Sequence, residues 1–500
     1  MKNFKHKALS TIFFLSILSG CDSISENTVT ESPEVDPTFT PESETSDAFL
    51  NKKFNSWGND ELTLSKVECK ACDSSPLKLV AQNPVKEIFS TGSAFAALRA
   101  DGTLVTWGDT QYGGSLYKGV FDPQNPVTVI FSTEMAFAAL RADGTLVTWG
   151  SIGGERGTVT FDPQNPVKKI FPTHSAFVAL RKDATVVALG ETLGDSAPAS
   201  FNFEPMNPVK EIFSTQSASA AIRNDGTVVA WGDKEQGGDV GAVTFAPDNP
   251  VKSIFSTAVA FAALREDGTV VTWGETYGGG DLGTVTFDPK NPVKEIVSSS
   301  FAFAALRQDG SAVTWGNVDE ESEGDDSSSI IFEPQNPIKK ITSSAIAFAA
   351  LRKDGTVVTW GEKGSGGDLG KITFDPRNPI KSIFSTDFAF AALKKDGSVV
   401  TWGDPESGGD SHAITFDPQN PVKKIFSTET AFAALREDGS VVTWGDPESG
   451  GDSHTVSFDP QNPIKDIYTS KTSFSAVRED GTVVAWGNAE TGGDLSDVDF

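Results

Sequence analysis

The chain has 500 residues, with 41 Lys and Arg against 68 Asp and Glu, for a formal net charge of −27 at pH 7. Nucleic-acid binding runs on phosphate neutralisation by Lys and Arg, and no basic stripe in the sequence overcomes that field, so nucleic acid is excluded as a partner. The acidity instead favours solubility and basic partners or cations.

The N-terminus reads as an export signal. Lys2, Lys5 and Lys7 precede an apolar stretch over residues 8–18. A membrane-spanning helix needs about 20 apolar residues, so this stretch is too short to span and has the length of a signal-peptide core. It ends in Leu18-Ser19-Gly20-Cys21, which resembles the lipobox of bacterial lipoproteins. The resemblance implies that residues 1–20 are removed and that Cys21 carries the lipid. With several acyl chains, the anchor would be stable.

Residues 21–50 are rich in Ser, Thr, Glu, Asp and Pro. Such a segment buries too little apolar surface to offset its ordering entropy, which predicts a disordered tether with an r.m.s. span near ~30 Å. Residues 51–82 read as a degenerate partial repeat headed by Trp57. They contain Cys69-Lys70-Ala71-Cys72. A redox motif of this form opens a helix in a βαβ unit. Here the surroundings are polar and lack helical periodicity, so Cys69 and Cys72 are predicted to form a small structural disulfide in an oxidising compartment. A zinc site would need a second ligand pair.

From residue 83 the chain is repetitive. Ten Asn-Pro pairs begin at Asn83 and recur at steps of 40 to 45 residues, mostly 42, as far as Asn462. Trp-Gly keeps the same beat in nine copies, and Leu189-Gly190 stands in the third. A fixed period of 20 to 50 residues marks solenoids, propellers or arrays. In the copy opening at Asn249, residues 251–256, 260–265, 269–273 and 284–287 read as strands. Asp267-Gly268 reads as a hairpin turn, and residues 274–283 as a Gly- and Asp-rich loop. Pro289 and Pro292 mark the turn into the next copy, since Pro cannot continue a ladder.

Four short antiparallel strands per copy predict an all-β chain, a propeller-like array of about ten four-stranded repeats over 83–500. The second strand is apolar on both faces, which suits a sheet covered on both sides, and its alanines would let strands crowd near a central axis. A parallel β-helix has no use for a tight hairpin in every copy. The third copy carries Asp183-Ala184 in place of Asp-Gly. Ala is costly at positive φ, so this copy is predicted to be the least ordered. The sixth carries an acidic insertion over residues 319–329, expected to be an exposed loop.

The pattern Ala-Leu-Arg-x-Asp-Gly-(Thr/Ser)-x-Val-x-Trp-Gly, then Gly-Gly-Asp, then Asn-Pro-Val-Lys-x-Ile, resembles regulator of chromosome condensation repeats. The resemblance covers about residues 83–500 and implies a propeller. Members usually have seven blades of about 50 residues. The shorter step here is more similar to a secreted bacterial inhibitor of β-lactamases built from the same repeat, which binds its target through loops on one ring face. Ten copies leave a larger ring, a split array or an open one as alternatives. The nucleotide-exchange activity of the founding eukaryotic member does not suit an exported acidic chain.

An enzyme needs an asymmetric set of reacting groups, whereas near-identical copies build a repeating surface, so no catalytic residues are assigned. The loop candidates for binding are Asp239, Asp281, Asp368, Asp410, His412, Asp452, His454 and Asp494. No metal or cofactor is assigned. Calcium is the one candidate, yet these carboxylates recur at about 42 residues, unlike the nine-residue spacing of calcium-binding repeats, and plain turns account for them. The tryptophans could stack on sugars, but each lies in an apolar strand and reads as core. The expectation is a cell-envelope lipoprotein that binds an unspecified protein through loops of one propeller face and touches the membrane only through its N-terminal lipid. A carbohydrate-binding module or a propeller-type hydrolase or lyase is the alternative.

Overall fold

A computed structural model describes residues 83–116, 121, 123–151, 157–159, 161, 164–183, 185–189, 207–317, 334–411, 416–453 and 458–498. The expectations placed on Cys21, the tether, Cys69, Cys72, Ala184, His412, His454 and residues 319–329 lie outside the described residues.

Each copy builds one antiparallel sheet, and the sheets are numbered 1 to 10 in chain order. In sheet 5 the strands are Val251–Ser256, Ala260–Arg265 and Val270–Gly274. Ile254 lies opposite Ala263, and Phe261 opposite Trp273. Gly268 closes the hairpin at φ +78°, a region open to Gly at little steric cost. Asp267 Oδ1 accepts the Thr269 backbone N–H at 2.9 Å and its hydroxyl at 2.7 Å. The first strand bulges between Val251 and Ser253. The extra residue, Lys252, is exposed, as a residue left outside the ladder is free to be.

The expected fourth strand is absent from sheet 5. Among the described residues only sheet 2 has one, Gly157–Val159, paired with its third strand. Gly283 at φ +54° and a turn from Leu282 to Val285 redirect the chain before residues 284–287 can join the ladder. The segment is held by side chains of the following sheet instead. Arg307 Nη2 donates to the Thr286 carbonyl at 3.1 Å, and Phe287 meets Trp315 edge-on at 5.7 Å.

The core lies between sheets. Ala260, Ala262 and Leu264 project from one face of sheet 5 onto Val293, Ile296, Phe303, Ala305 and Trp315 of sheet 6. Phe303 and Trp315 stack at 5.2 Å and are 0% and 3% exposed. Burying such a side chain contributes on the order of 2–3 kcal/mol, so the alternating apolar faces stabilise neighbours jointly. Indole hydrogen bonds pin several interfaces as well: Trp315 Nε1 donates to the Gly279 carbonyl of the preceding loop at 3.2 Å, whereas the buried Trp360 and Trp486 indole nitrogens find no partner.

The same contacts join the last sheet to the first. Val85 N donates to Gly481 O at 3.3 Å, as Val293 N does to Gly268 O within the array. Trp107 Nε1 donates to Gly492 O at 3.2 Å, and Val477 shares a core cluster with Phe95 and Trp107. The ten sheets therefore close into one ring. Its innermost strand is the first of each sheet, not the Ala-rich second: first strands touch first strands, as where Ser256 Oγ donates to Ser214 O at 2.8 Å. The second strand is central within its sheet, where its alanines make room for the neighbour's Phe and Trp. Sheet 3 pairs like the others, with half-buried Leu189 opposite Phe177.

The ring has two unlike faces. The Asp-Gly hairpins lie against the start of the next first strand, on the hairpin face. The loops that follow Trp-Gly lie against the turn between first and second strands, on the loop face. A Cβ at Gly268 would sit 2.1 Å from Pro292 Cβ of the next copy, whereas one at Gly241 (φ +58°) would meet nothing within 4 Å. Gly268→Ala is therefore expected to cost about 2–4 kcal/mol, from backbone strain plus overpacking, and Gly241→Ala about 1 kcal/mol. Denaturant unfolding of the two variants checks the difference.

Candidate functional site at the ring axis

At the loop face, one residue per sheet sits between the Thr or Ser that ends the first-strand turn and the start of the second strand. In every sheet but the third its backbone N–H donates to the carbonyl of the same position in the next sheet: Ala258 to Ser300 at 3.0 Å, Asp387 to Glu429 at 2.8 Å, and across the seam Lys471 to Gly92 at 3.0 Å. Steps of about 4.8 Å between hydrogen-bonded strands give ten positions a backbone radius of roughly 8 Å. Side chains from this ring converge on the axis.

The ring is chemically lopsided. Sheets 8, 9, 10, 2 and 3 place Asp387, Glu429, Lys471, Glu134 and His174 there, while sheets 5 to 7 place Ala258, Ser300 and Ala345. Lys471 Nζ lies 2.5 Å from Glu134 Oε1, reaching past Gly92, and 3.4 Å from Glu429 Oε1. All three side chains are largely buried. Burial pushes the Glu134 and Glu429 carboxyls up, against the pull of Lys471. Burial also disfavours the Lys471 ammonium, but the two glutamates outweigh it and hold the pKa above the usual value. His174 is pulled down, by burial first and then by the Lys471 charge. Asp387 is 5% exposed, and its Oδ1 has no hydrogen-bond partner. Burial, then the Glu429 charge, pushes its carboxyl well above the usual range, opposed by Lys471.

The next residue in each copy is also lopsided. Val259, Phe301, Ile346 and Phe388 form an apolar crescent of half-buried side chains along sheets 5 to 8, while other sheets place Ser or Thr there, apart from Met135. Tyr277, 49% exposed, packs edge-on against Phe301 at 5.2 Å and extends the crescent onto the loop face.

The sequence-predicted loop residues lie farther out. Asp239, Asp281, Asp368, Asp410, Asp452 and Asp494 are all exposed, one per sheet. Asp239, Asp281, Asp368 and Asp494 each accept a backbone N–H two residues on, at 2.8 to 3.0 Å, so they cap their own turns. Among the described residues no three His, Cys, Asp or Glu side chains are placed so as to hold a metal ion. Asp239 lines a shallow recess of about 420 Å³ together with Lys234, Glu235, Glu275 and Thr276. The nine described tryptophans are 0% to 6% exposed and belong to the core.

The axial residues were legible by comparing the copies with one another. Two adjacent positions inside an otherwise constant frame read Gly-Ser, Glu-Met, His-Ser, Gln-Ser, Ala-Val, Ser-Phe, Ala-Ile, Asp-Phe, Glu-Thr and Lys-Thr. The expectation of a uniform surface overlooked that a ring brings its most variable positions to one point.

A scan of known protein families and a search of curated proteins found no match. Among solved structures, yeast RCC1 (Prp20) bound to Kap60 is 14% identical, covering 85% of this chain and 98% of that one, with a TM-score of 0.34. The ectodomain of the receptor kinase CR4 from Physcomitrella patens is 16% identical (56% and 74% covered, TM-score 0.33). That of ACR4 from Arabidopsis thaliana is 12% identical (64% and 96%, TM-score 0.31). Likeness at this level concerns fold alone. By its own sheet-to-sheet contacts the chain is a propeller closed from ten sheets.

A carboxyl with a raised folded-state pKa is most compatible with folding while protonated, and its contribution falls as pH rises from the unfolded value of about 3.9 through the folded one. Asp387→Asn is thus expected to raise stability at pH 8 by about 1–3 kcal/mol, the scale of one unpaired buried polar group. The variant should match wild type near pH 4. Paired thermal melts at the two pH values decide it, and a variant less stable at pH 8 would contradict the assignment.

Proposed function

We propose that the chain is a cell-envelope lipoprotein that presents the loop face of its ring to a protein partner and catalyses no reaction. The observation that carries this reading is the apolar crescent of Val259, Tyr277, Phe301, Ile346 and Phe388 beside the axis. Interfaces concentrate affinity in a few central apolar and aromatic anchors inside a polar rim, and this crescent has that arrangement. The rim is acidic: the described loops from Trp-Gly through Gly-Gly-Asp place Asp233, Glu235 and Asp239 in sheet 4, Asp404, Glu406 and Asp410 in sheet 8, and Asp446, Glu448 and Asp452 in sheet 9, with Lys234 as their single basic residue. Such a rim speeds encounter with a basic partner and fixes its register. The partner is accordingly a protein with basic residues around an apolar plug. The lipid on Cys21 would hold it at the membrane.

Two measurements test the halves separately. Metabolic labelling with a radioactive fatty acid should label the chain, and Cys21→Ser should abolish the label. Chemical cross-linking in envelope preparations should trap a partner with wild type and at least about tenfold less with Tyr277→Ala/Phe301→Ser, the loss expected on removing one central hot spot. Equal trapping by both forms, with the variant folded, would overturn the loop-face reading.

A further inference from the structure

The arc that carries the apolar crescent is not apolar throughout. Val259, Phe301, Ile346 and Phe388 each follow an axial residue: Ala258, Ser300, Ala345 and Asp387. All four axial residues are buried. Their backbones are committed to the axial ring, as where Ser300 N donates to Ala345 O and Ala345 N to Asp387 O, both at 2.9 Å. Two side-chain atoms of this arc nevertheless have no hydrogen-bond partner, Asp387 Oδ1 and Ser300 Oγ. Buried polar atoms are ordinarily paired in folded proteins, and a buried carboxylate left unpaired is especially costly.

The charges of the ring leave Asp387 short of a cation. Glu134, Asp387 and Glu429 surround a single ammonium, and Lys471 pairs with Glu134 and Glu429. His174, the one other titratable group of the axial ring, is pulled towards its neutral form. Glu134 Oε2 is a further buried acceptor without a partner. Beside this unbalanced charge lies the crescent, which Tyr277 extends onto the loop face through its contact with Phe301.

We propose that the ring axis receives a guanidinium, the side chain of an arginine flanked by apolar residues on the protein partner, with its head on Asp387 and its apolar neighbours on the crescent. The proposal rests on the loop-face reading and makes its partner specific. A guanidinium fits better than other cations. No three His, Cys, Asp or Glu side chains among the described residues are placed to hold a metal ion. An ammonium is compact and strongly hydrated, whereas a guanidinium is weakly hydrated, stacks on aromatic rings and spreads its donors over a planar fork. Phe301, Phe388 and Tyr277 supply the rings. Ring steps of about 4.8 Å place the backbones of Ser300 and Asp387 roughly 9 Å apart, with only Ala345 between them. A fork that donates to both side chains spans that gap.

The test uses the full chain and blocked dipeptides. Isothermal titration calorimetry compares N-acetyl-Phe-Arg-amide with N-acetyl-Phe-citrulline-amide, which keeps the shape and lacks the charge, and with agmatine, a free guanidinium. The arginine peptide should bind saturably, the other two at least tenfold more weakly. Asp387→Asn, expected above to be at least as stable as wild type at pH 8, should weaken the arginine peptide at least tenfold and leave the citrulline peptide unchanged. Burial and then the Glu429 charge make Asp387 hold its proton more tightly than usual, against the pull of Lys471. Proton and guanidinium therefore compete, and binding should tighten from pH 5 to pH 8 more steeply in wild type than in the variant. No saturable binding of the arginine peptide, equal binding of the citrulline peptide, or undiminished binding by the folded variant would overturn the guanidinium site. Agmatine binding as tight as that of the arginine peptide would overturn a protein side chain as its source. In the cross-linking experiment, full trapping by Asp387→Asn beside lost trapping by Tyr277→Ala/Phe301→Ser would sink this inference and leave the loop-face reading in place.

Discussion

The structure depends on the fact that each three-stranded sheet is apolar on both faces. A second strand such as Ala260–Arg265 has no polar side to turn to water before its final Arg. Its cover must come from the sheets before and after it, and an array of such sheets leaves two raw faces at its ends. Ring closure removes both at once, through the Val85–Gly481 and Trp107–Gly492 contacts. The Phe–Trp stacks and indole hydrogen bonds between sheets are how the closure is made specific. The third copy, with Leu189 in place of Trp, lacks both, yet Phe177 and Ala179 stay fully buried in the shared core.

Closure converts sequence variation into spatial asymmetry. Positions that are about 42 residues apart along the chain become neighbours in a backbone ring. The cluster of Glu134, Asp387, Glu429, Lys471 and His174 is built from five copies, none of which holds more than one of its members. Burying three carboxylates around a single ammonium is expensive, because desolvation competes with the ion pairs. The opposite arc avoids that cost with Ala and Ser, and there the crescent from Val259 to Phe388 takes the adjoining surface. A frame that is nearly tenfold symmetric thus carries a centre with a charged half and an apolar half.

The same geometry sets side by side charges that the sequence keeps apart. The net charge of the whole chain conceals an acidic loop face and a hairpin face whose lysines are exposed by a bulge in every first strand. A bulge places one residue outside the ladder, and Lys occupies that place nine times.

By itself, the sequence determined the repeat unit. The period, the Asp-Gly hairpins and the doubly apolar second strand follow from local rules of turn chemistry and alternation, and they sufficed for sheets stacked as a propeller and for tryptophans in the core. Residues 284–287 were misread as a strand because their alternation is real. It serves packing on the next sheet, and the positive φ of Gly283 that diverts the chain leaves little trace beyond a single Gly. Tertiary structure alone decided that ten sheets close, that the first strand is innermost, and that Lys471 meets Glu134 and Glu429. Those outcomes depend on the angle between successive sheets, which is set by how Phe and Trp seat against alanines across the gap, and no pattern within one copy encodes that angle.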